Sequence, residues 1–100
     1  MRIIALRTLK RFVESKSAFG DALEPTLAWY QQALRANWSS PVDMKREIGS
    51  ASILKDGRVV FNIAGNKYRI VVRINYPYRV VYVRFIGTHK QYDLIDAQNA

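Results

Sequence analysis

The sequence predicts an α+β fold: helices from the first half of the chain cover one face of an antiparallel sheet built from the second half. Three observations carry that expectation. From Val59 to Tyr92, three apolar runs rich in Val, Ile, Tyr and Phe alternate with period two, the pattern of half-buried strands. Before them, apolar residues recur at helical spacing, first at Leu9, Phe12 and Val13, then at Leu23, Leu27, Tyr30 and Leu34. No linker, internal repeat or low-complexity tract interrupts the 100 residues, so residues 1–100 are expected to form a single domain.

The elements follow in order. Arg2 to Leu6 is a short apolar run and reads as an edge strand. Thr8 is placed to cap a first helix from about Leu9 to Ser15, with Ser17 and Gly20 as breakers after it. A second helix begins at Asp21 or Glu24, has Pro25 near its start where proline is tolerated, and runs to about Asn37. Its Leu23, Leu27, Tyr30 and Leu34 stripe is expected to face the sheet, and Ser39, Ser40 and Pro41 to end it. Val42 to Asp56 reads as a loop, with a short strand at Ser50 to Leu54 leading through Asp56-Gly57, a hairpin signal. The meander strands are expected at Arg58 to Ala64, Asn66 to Tyr76 and Arg79 to Gly87, turning at Gly65-Asn66 and Pro77. One turn of helix follows His89.

Composition narrows the partners. The formal net charge is +8 and the pI about 10.1, values that favour nucleic acid, an anionic surface or an acidic protein. With no cysteine there is no disulfide or thiolate metal site, and a single histidine does not make a conventional zinc centre. No metal and no cofactor are therefore expected. No apolar run has the length of a membrane span, and Arg7, Lys10 and Arg11 interrupt the first apolar stretch before it resembles a signal peptide. A cytoplasmic protein without membrane contact is expected.

Strand phase sorts the charges. In the middle strand Tyr68, Ile70, Val72, Ile74 and Tyr76 point one way and Lys67, Arg69, Val71, Arg73 and Asn75 the other. In the last strand Val81, Val83 and Phe85 share a side opposite Tyr82 and Arg84. One open face should thus carry Lys67, Arg69, Arg73, Tyr82 and Arg84, and no Asp or Glu occurs from Gly57 to Gln91. A one-signed face interleaved with aromatics suits a polyanion, against the plainer reading of a solvated outer surface.

No phosphate-binding glycine loop, paired-carboxylate site or Ser-His-Asp order is present. Asp43, Glu47, Asp56, Asp93 and Asp96 look scattered. The remaining cluster is Arg69, Arg73, Arg84, His89, Lys90 and Tyr92. Cleaving RNA requires a proton taken from a 2′-oxygen, a stabilised phosphorane and a proton given to the 5′-oxygen. His and Tyr transfer protons, and arginine forks match phosphate oxygens. One histidine supplies one proton-transfer group, so Tyr92, Lys90 or another cation has to share the work. A capping role for His89 and a packing role for Tyr92 are the alternatives; the His-x-x-Tyr spacing, which sets both on one side of a helical turn, favours the pair.

The run from Phe61 to Val71 (FNIAGNKYRIV) and the run from Tyr82 to Asp93 (YVRFIGTHKQYD) closely resemble the HigB-type toxins of bacterial type II toxin–antitoxin systems, which belong to the RelE-like superfamily of mRNA interferases. The resemblance implies a compact RelE-like fold and a ribosome-dependent, metal-independent endoribonuclease that cuts translated mRNA at the small-subunit decoding site. It implies ends bearing a 2′,3′-cyclic phosphate or 3′-phosphate, and a HigA-type helix-turn-helix antitoxin as partner. Carried over by position, it gives Arg69 as a transition-state clamp, His89 and Tyr92 as proton-transfer groups and Lys90 as a cation at the site. Strand phase adds Arg84 to the catalytic group and Arg73 to the RNA-binding one, with Lys67 as a further phosphate contact. The alternatives are a non-catalytic basic RNA- or ribosome-binding module and, more remotely, a DNA-binding repressor, for which the sequence shows no helix-turn-helix pattern.

Overall fold

In the computed structural model, which describes residues 1–4 and 6–99, the strands β1 (Arg2–Ile4), β2 (Ser52–Ile53), β3 (Arg58–Ile63), β4 (Tyr68–Asn75) and β5 (Val80–Thr88) form one sheet. Their spatial order is β1-β5-β4-β3-β2. The meander β2 to β5 is antiparallel throughout, whereas β1 joins β5 in parallel, with Ile3 opposite Val81. The sheet is thus mixed, and β1 and β2 are its edges. The expected continuation of β1 into Ala5 lies outside the described residues.

Each strand ends where the sequence supplies a turn. Between β2 and β3, Asp56 (φ 56°) and Gly57 (φ 77°) both have positive φ, as a two-residue hairpin turn demands. Leu54 N–H and Arg58 O close it at 2.9 Å. Gly57 is required for a second reason: a Cβ there would lie 2.7 Å from the Ile74 carbonyl oxygen of β4. Ala64 to Lys67 turn β3 into β4, and Tyr76 to Arg79 turn β4 into β5.

Helices α1 (Leu6–Ser15) and α2 (Leu23–Arg35), joined by a 3₁₀ segment at Ser17–Ala22, cover one face of the sheet. Helix α1 begins at Leu6, so Thr8 sits inside its first turn rather than capping it. As expected, Leu9 is buried and Phe12 and Val13 pack beside it.

Two expectations for the middle of the chain are corrected. First, α2 is rotated. Its buried face is Thr26, Trp29 and Ala33, continued by Ala22 before it and Ala36 after it, while Leu23, Leu27 and Leu34 are 47, 46 and 38% exposed. Small residues at Ala22, Ala33 and Ala36 let the helix approach the sheet closely, and the Trp29 ring fills the space beside Phe61 at 5.3 Å between centroids. Second, the segment read as a loop contains a further helix, α3 (Pro41–Glu47). Ser40 is its N-cap, accepting the Asp43 N–H, and Pro41 takes the first helical position, where a missing N–H costs nothing. Pro41 therefore starts a helix instead of ending one. Helix α3 buries Met44, and Trp38, almost fully buried against Phe61, donates its Nε1–H to Glu47 at 3.2 Å.

The rotation of α2 is testable by urea unfolding. Trp29→Ala is expected to cost about 3–5 kcal/mol, and Leu27→Ala less than about 1 kcal/mol. Equal losses would put the helix back in the phase of its leucine stripe.

Candidate nucleic-acid interface and active site

The face of the sheet away from the helices is built from three cross-strand rows. They are Asn62–Arg69–Gly87, Val60–Val71–Phe85 and Arg58–Arg73–Tyr82. The simple alternation fails in β5, where a bulge intervenes: Val71 pairs with Phe85 but Val72 pairs with Val83, leaving Arg84 as the extra residue. Phe85 therefore belongs to the open face, not to the core side with Val81 and Val83, and Ile86 takes the core position instead.

The bulge divides the open face. Its middle row is apolar, with Val60 and Val71 buried although they stand outside the main core. The cations flank this row as two groups. The chain after α4 (His89–Tyr92) runs from the Tyr68 end of the sheet toward the other end, where Gln98 Oε1 accepts the Lys55 N–H at 3.1 Å.

At the Tyr68 end, the first group gathers around α4. A capping box fixes this turn: Thr88 Oγ1 accepts the Gln91 N–H at 3.1 Å and Gln91 Oε1 accepts the Thr88 N–H at 2.9 Å. The His89 N–H donates to Lys67 O at 3.2 Å, tying α4 to the β3–β4 turn. Gly87 leaves room for the turn to fold down, since a Cβ there would meet the Phe85 ring at 2.5 Å and Gln91 Oε1 at 2.8 Å. Opposite Gly87, Arg69 lies over the Tyr92 ring, 5.8 Å from its centroid, and donates from Nη1 to Asn66 O at 2.9 Å. His89 Nδ1 is 3.1 Å from Asp93 Oδ2, with both side chains about half exposed. With Nδ1 donating to that carboxylate, Nε2 is the nitrogen left to accept a proton. Lys90 is exposed on the same turn.

The second group, Arg73, Arg84 and Tyr82, lies at the opposite end. Arg84 stands over the Tyr82 ring at 6.0 Å, and Arg73 Nε donates to Asp56 O at 3.3 Å. Arg69 and Arg73 are four residues apart on β4, which separates their backbones by about 13 Å.

Lys67 is placed differently from the expectation. It belongs to the turn before β4, where strand alternation does not hold, and its ammonium pairs with Asp21 of the 3₁₀ segment. The same carboxylate accepts the hydroxyl of buried Tyr68. Tyr68 meets Phe12 and Phe19 edge-on at 5.7 and 6.2 Å, so Asp21 clamps the helical layer to the start of β4. The Lys67 ammonium, and then the Tyr68 hydroxyl, hold the Asp21 carboxyl below its ordinary range. Asp21 in turn raises Lys67. Burial first, and Asp21 second, push the Tyr68 phenol up.

The structure thus brings together Arg69, His89, Lys90 and Tyr92, sets Arg73 and Arg84 apart from them with Tyr82, and turns Lys67 toward Asp21. Sequence reading missed Asp93 as the partner of His89, although the i,i+4 spacing that sets them side by side on one face of the α4 turn is visible in the sequence. It also missed Asp21, whose contact spans 46 residues and leaves no local signal.

The mixed sheet with its N-terminal strand, helical layer and short C-terminal helix makes a compact α+β fold of the RelE-like kind, with Arg69, Arg73, Tyr82 and Arg84 on the side away from the helices. Residues 22–95 match the family model described as HigB toxin, the RelE-like toxic component of a toxin-antitoxin system, and the chain belongs to this family. Curated relatives include the mRNA interferase toxin HigB of Escherichia coli K12 and the mRNA interferases HigB of Escherichia coli O157:H7 and Shigella flexneri. Each is 38% identical over 42 residues, covering 42% of this chain and 40% of the relative. Among the described residues, no helix is long and apolar enough to cross a membrane.

The Asp21 clamp predicts a pH dependence. Its depressed pKa means that ionised Asp21 stabilises the fold above the ordinary carboxylate range, and this contribution is lost as pH falls through the folded-state value. Asp21→Asn should therefore lower Tm at neutral pH, and the gap from the parent chain should narrow as both are melted toward roughly pH 3. A gap that is constant across this range would show that the charge on Asp21 contributes nothing.

Proposed function

We propose that this chain is the toxin of a type II toxin–antitoxin pair, a single-domain cytoplasmic endoribonuclease that cuts translated mRNA on the ribosome. The observation that carries the reading is the His89–Asp93 pair on the same turn as Tyr92, whose ring lies under Arg69 at the rim of a cationic sheet face. Family membership and the printed activity of the relatives support it.

The reaction follows from these groups. His89 Nε2 takes the proton of a ribose 2′-OH, while Asp93 holds Nδ1–H and faces the imidazolium that forms. The 2′-oxygen attacks the adjacent phosphorus, and Arg69, with Lys90 nearby, meets the charge gathering on the phosphorane oxygens. The P–O5′ bond breaks. Tyr92 gives its hydroxyl proton to the leaving 5′-oxygen, and the phenolate left behind faces the Arg69 guanidinium. Protons and bonds balance within this set, giving a 2′,3′-cyclic phosphate and a 5′-hydroxyl without recourse to a metal ion. Arg73 and Arg84 hold the RNA backbone further along the face. Lys67 contributes through its pairing with Asp21, which positions the carbonyl that receives the His89 N–H. The ribosome supplies the message in its decoding site, and an antitoxin of the helix-turn-helix, HigA type neutralises the toxin.

Primer extension on a message translated in a purified system tests this. The parent chain should create new 5′-hydroxyl ends only when ribosomes are present. His89→Ala should lower the rate by about 10²–10⁴-fold, and Asp93→Asn by about tenfold or more, with ribosome binding retained. Arrested translation without new RNA ends would replace the nuclease by a non-catalytic ribosome-binding module.

A further inference from the structure

We propose that the cavity at the Arg73 end of the sheet is a base-binding subsite for an unpaired nucleotide that lies beyond the two flanking the cut. The inference rests on the nuclease reading for its place in the reaction, but its geometry is independent of it. The cavity has a volume of about 500 Å³, within the span of small-ligand sites. Tyr82, Arg84, Arg73 and Asn75 line it together with the Asp56–Gly57 turn.

These lining residues offer what a nucleotide needs. Tyr82 is half-buried and rigidly seated in β5 opposite Arg73, and its ring is a stacking platform of the kind that holds unpaired bases. Arg84, over the same ring, is placed to sandwich a base edge or meet its phosphate. The Asp56 carbonyl takes the Nε donor of Arg73 and so fixes the orientation of its fork. Asn75 Oδ1 is committed to the Tyr78 N–H at 3.2 Å, so the group that Asn75 presents to a ligand is its amide N–H₂, a donor for an acceptor on the base.

The position follows from strand geometry. Arg69 marks the cleavage group, and the four-residue step to Arg73 is about 13 Å, several times the roughly 3.4 Å rise of a stacked strand. The apolar row Val60–Val71–Phe85 lies between the two groups. Val60 and Val71 are buried, so a strand joining the two groups passes over what covers this row, with the reacting phosphate at one end of the sheet and a different nucleotide at the other.

The test has two arms on the full chain. In the first, binding of a short single-stranded oligouridylate is followed by fluorescence anisotropy. Tyr82→Leu should weaken it about tenfold, and Tyr82→Phe, which keeps the ring, should stay within about twofold. In the second, cut sites on a translated message are mapped. Tyr82→Leu should raise KM with kcat little changed and flatten the base preference at a position outside the cut dinucleotide. Should Tyr82→Leu melt early, Asn75→Asp, which exchanges the donor for an acceptor, is read in its place and should change which base is preferred there. A parent chain that cuts RNA, with neither binding nor preference dependent on Tyr82 or Asn75, overturns the subsite and leaves the nuclease standing. A parent chain that does not cut, but whose oligouridylate binding falls with Tyr82→Leu, overturns the nuclease and keeps the subsite.

Discussion

One extra residue in β5 governs how the rest of this molecule is arranged. Because Arg84 is inserted opposite a single step of β4, the two halves of β5 run in different phases. Below the bulge, Val81 and Val83 face the core and Tyr82 faces out. Above it, Ile86 takes over the core and Phe85 and Gly87 face out. Without the insertion, Gly87 would point into the helical layer and α4 would leave the sheet from the wrong side. With it, the one position lacking a side chain lies where Gln91 and the Phe85 ring need space, and Tyr92 folds back beneath Arg69. The bulge thus links core packing to the meeting of His89, Tyr92 and Arg69.

The legible and illegible parts of the sequence separate along this line. Alternation named the meander strands to within two residues and the faces of β3 and β4, because a period of two tolerates no ambiguity where one side is buried. It failed at Phe85, since a bulge has no composition of its own here. The helix α2 shows a different failure. Two stripes satisfy helical spacing, Leu23-Leu27-Tyr30-Leu34 and Ala22-Thr26-Trp29-Ala33, and hydrophobicity alone favours the first. Close approach to a flat sheet favours the second, because three alanines and one large ring fit better than a row of leucines. Ser40-Pro41 is a third case: a dipeptide that reads equally as a helix stop or a helix start opens α3, five residues after α2 has ended at Arg35, with Ser40 accepting the Asp43 N–H.

The candidate site was legible as a set of residue types rather than as a geometry. Arg69, His89, Lys90 and Tyr92 lie together because the sequence brings three of them into one turn and the β4–β5 pairing delivers the fourth. Arg73 and Arg84 were grouped with them on charge, yet the sheet holds them at its other end. Lys67 was assigned to the open face by counting in twos from Arg69, but a turn residue is free of that count, and a carboxylate 46 residues away determines where it points.

That carboxylate is one instance of a general disposition of charge. Asp21 serves Lys67 and Tyr68, Asp43 serves Ser39, Glu47 serves Gln32 and Trp38, and Asp96 serves Gln98 and Asn99. These acids act as hydrogen-bond acceptors that hold helices, turns and the C-terminal segment in place, away from the three rows of the open face. Asp93 is the acid that stands beside the α4 cluster, and there it is directed at His89. With no Asp or Glu between Gly57 and Gln91, the strands themselves contribute only positive charge. The charge is therefore disposed in a way that net charge alone does not convey: the acids just named serve the architecture, while Arg58, Arg69, Arg73, Arg84 and Lys90 stand on or beside the sheet face away from the helices. Such a surface attracts a phosphate backbone over roughly a Debye length, about 8 Å at physiological salt, and orients it before any specific contact forms. The row Val60–Val71–Phe85 separates the Arg69–Tyr92 group from the Arg73–Tyr82–Arg84 group, and the proposed second subsite rests on that division.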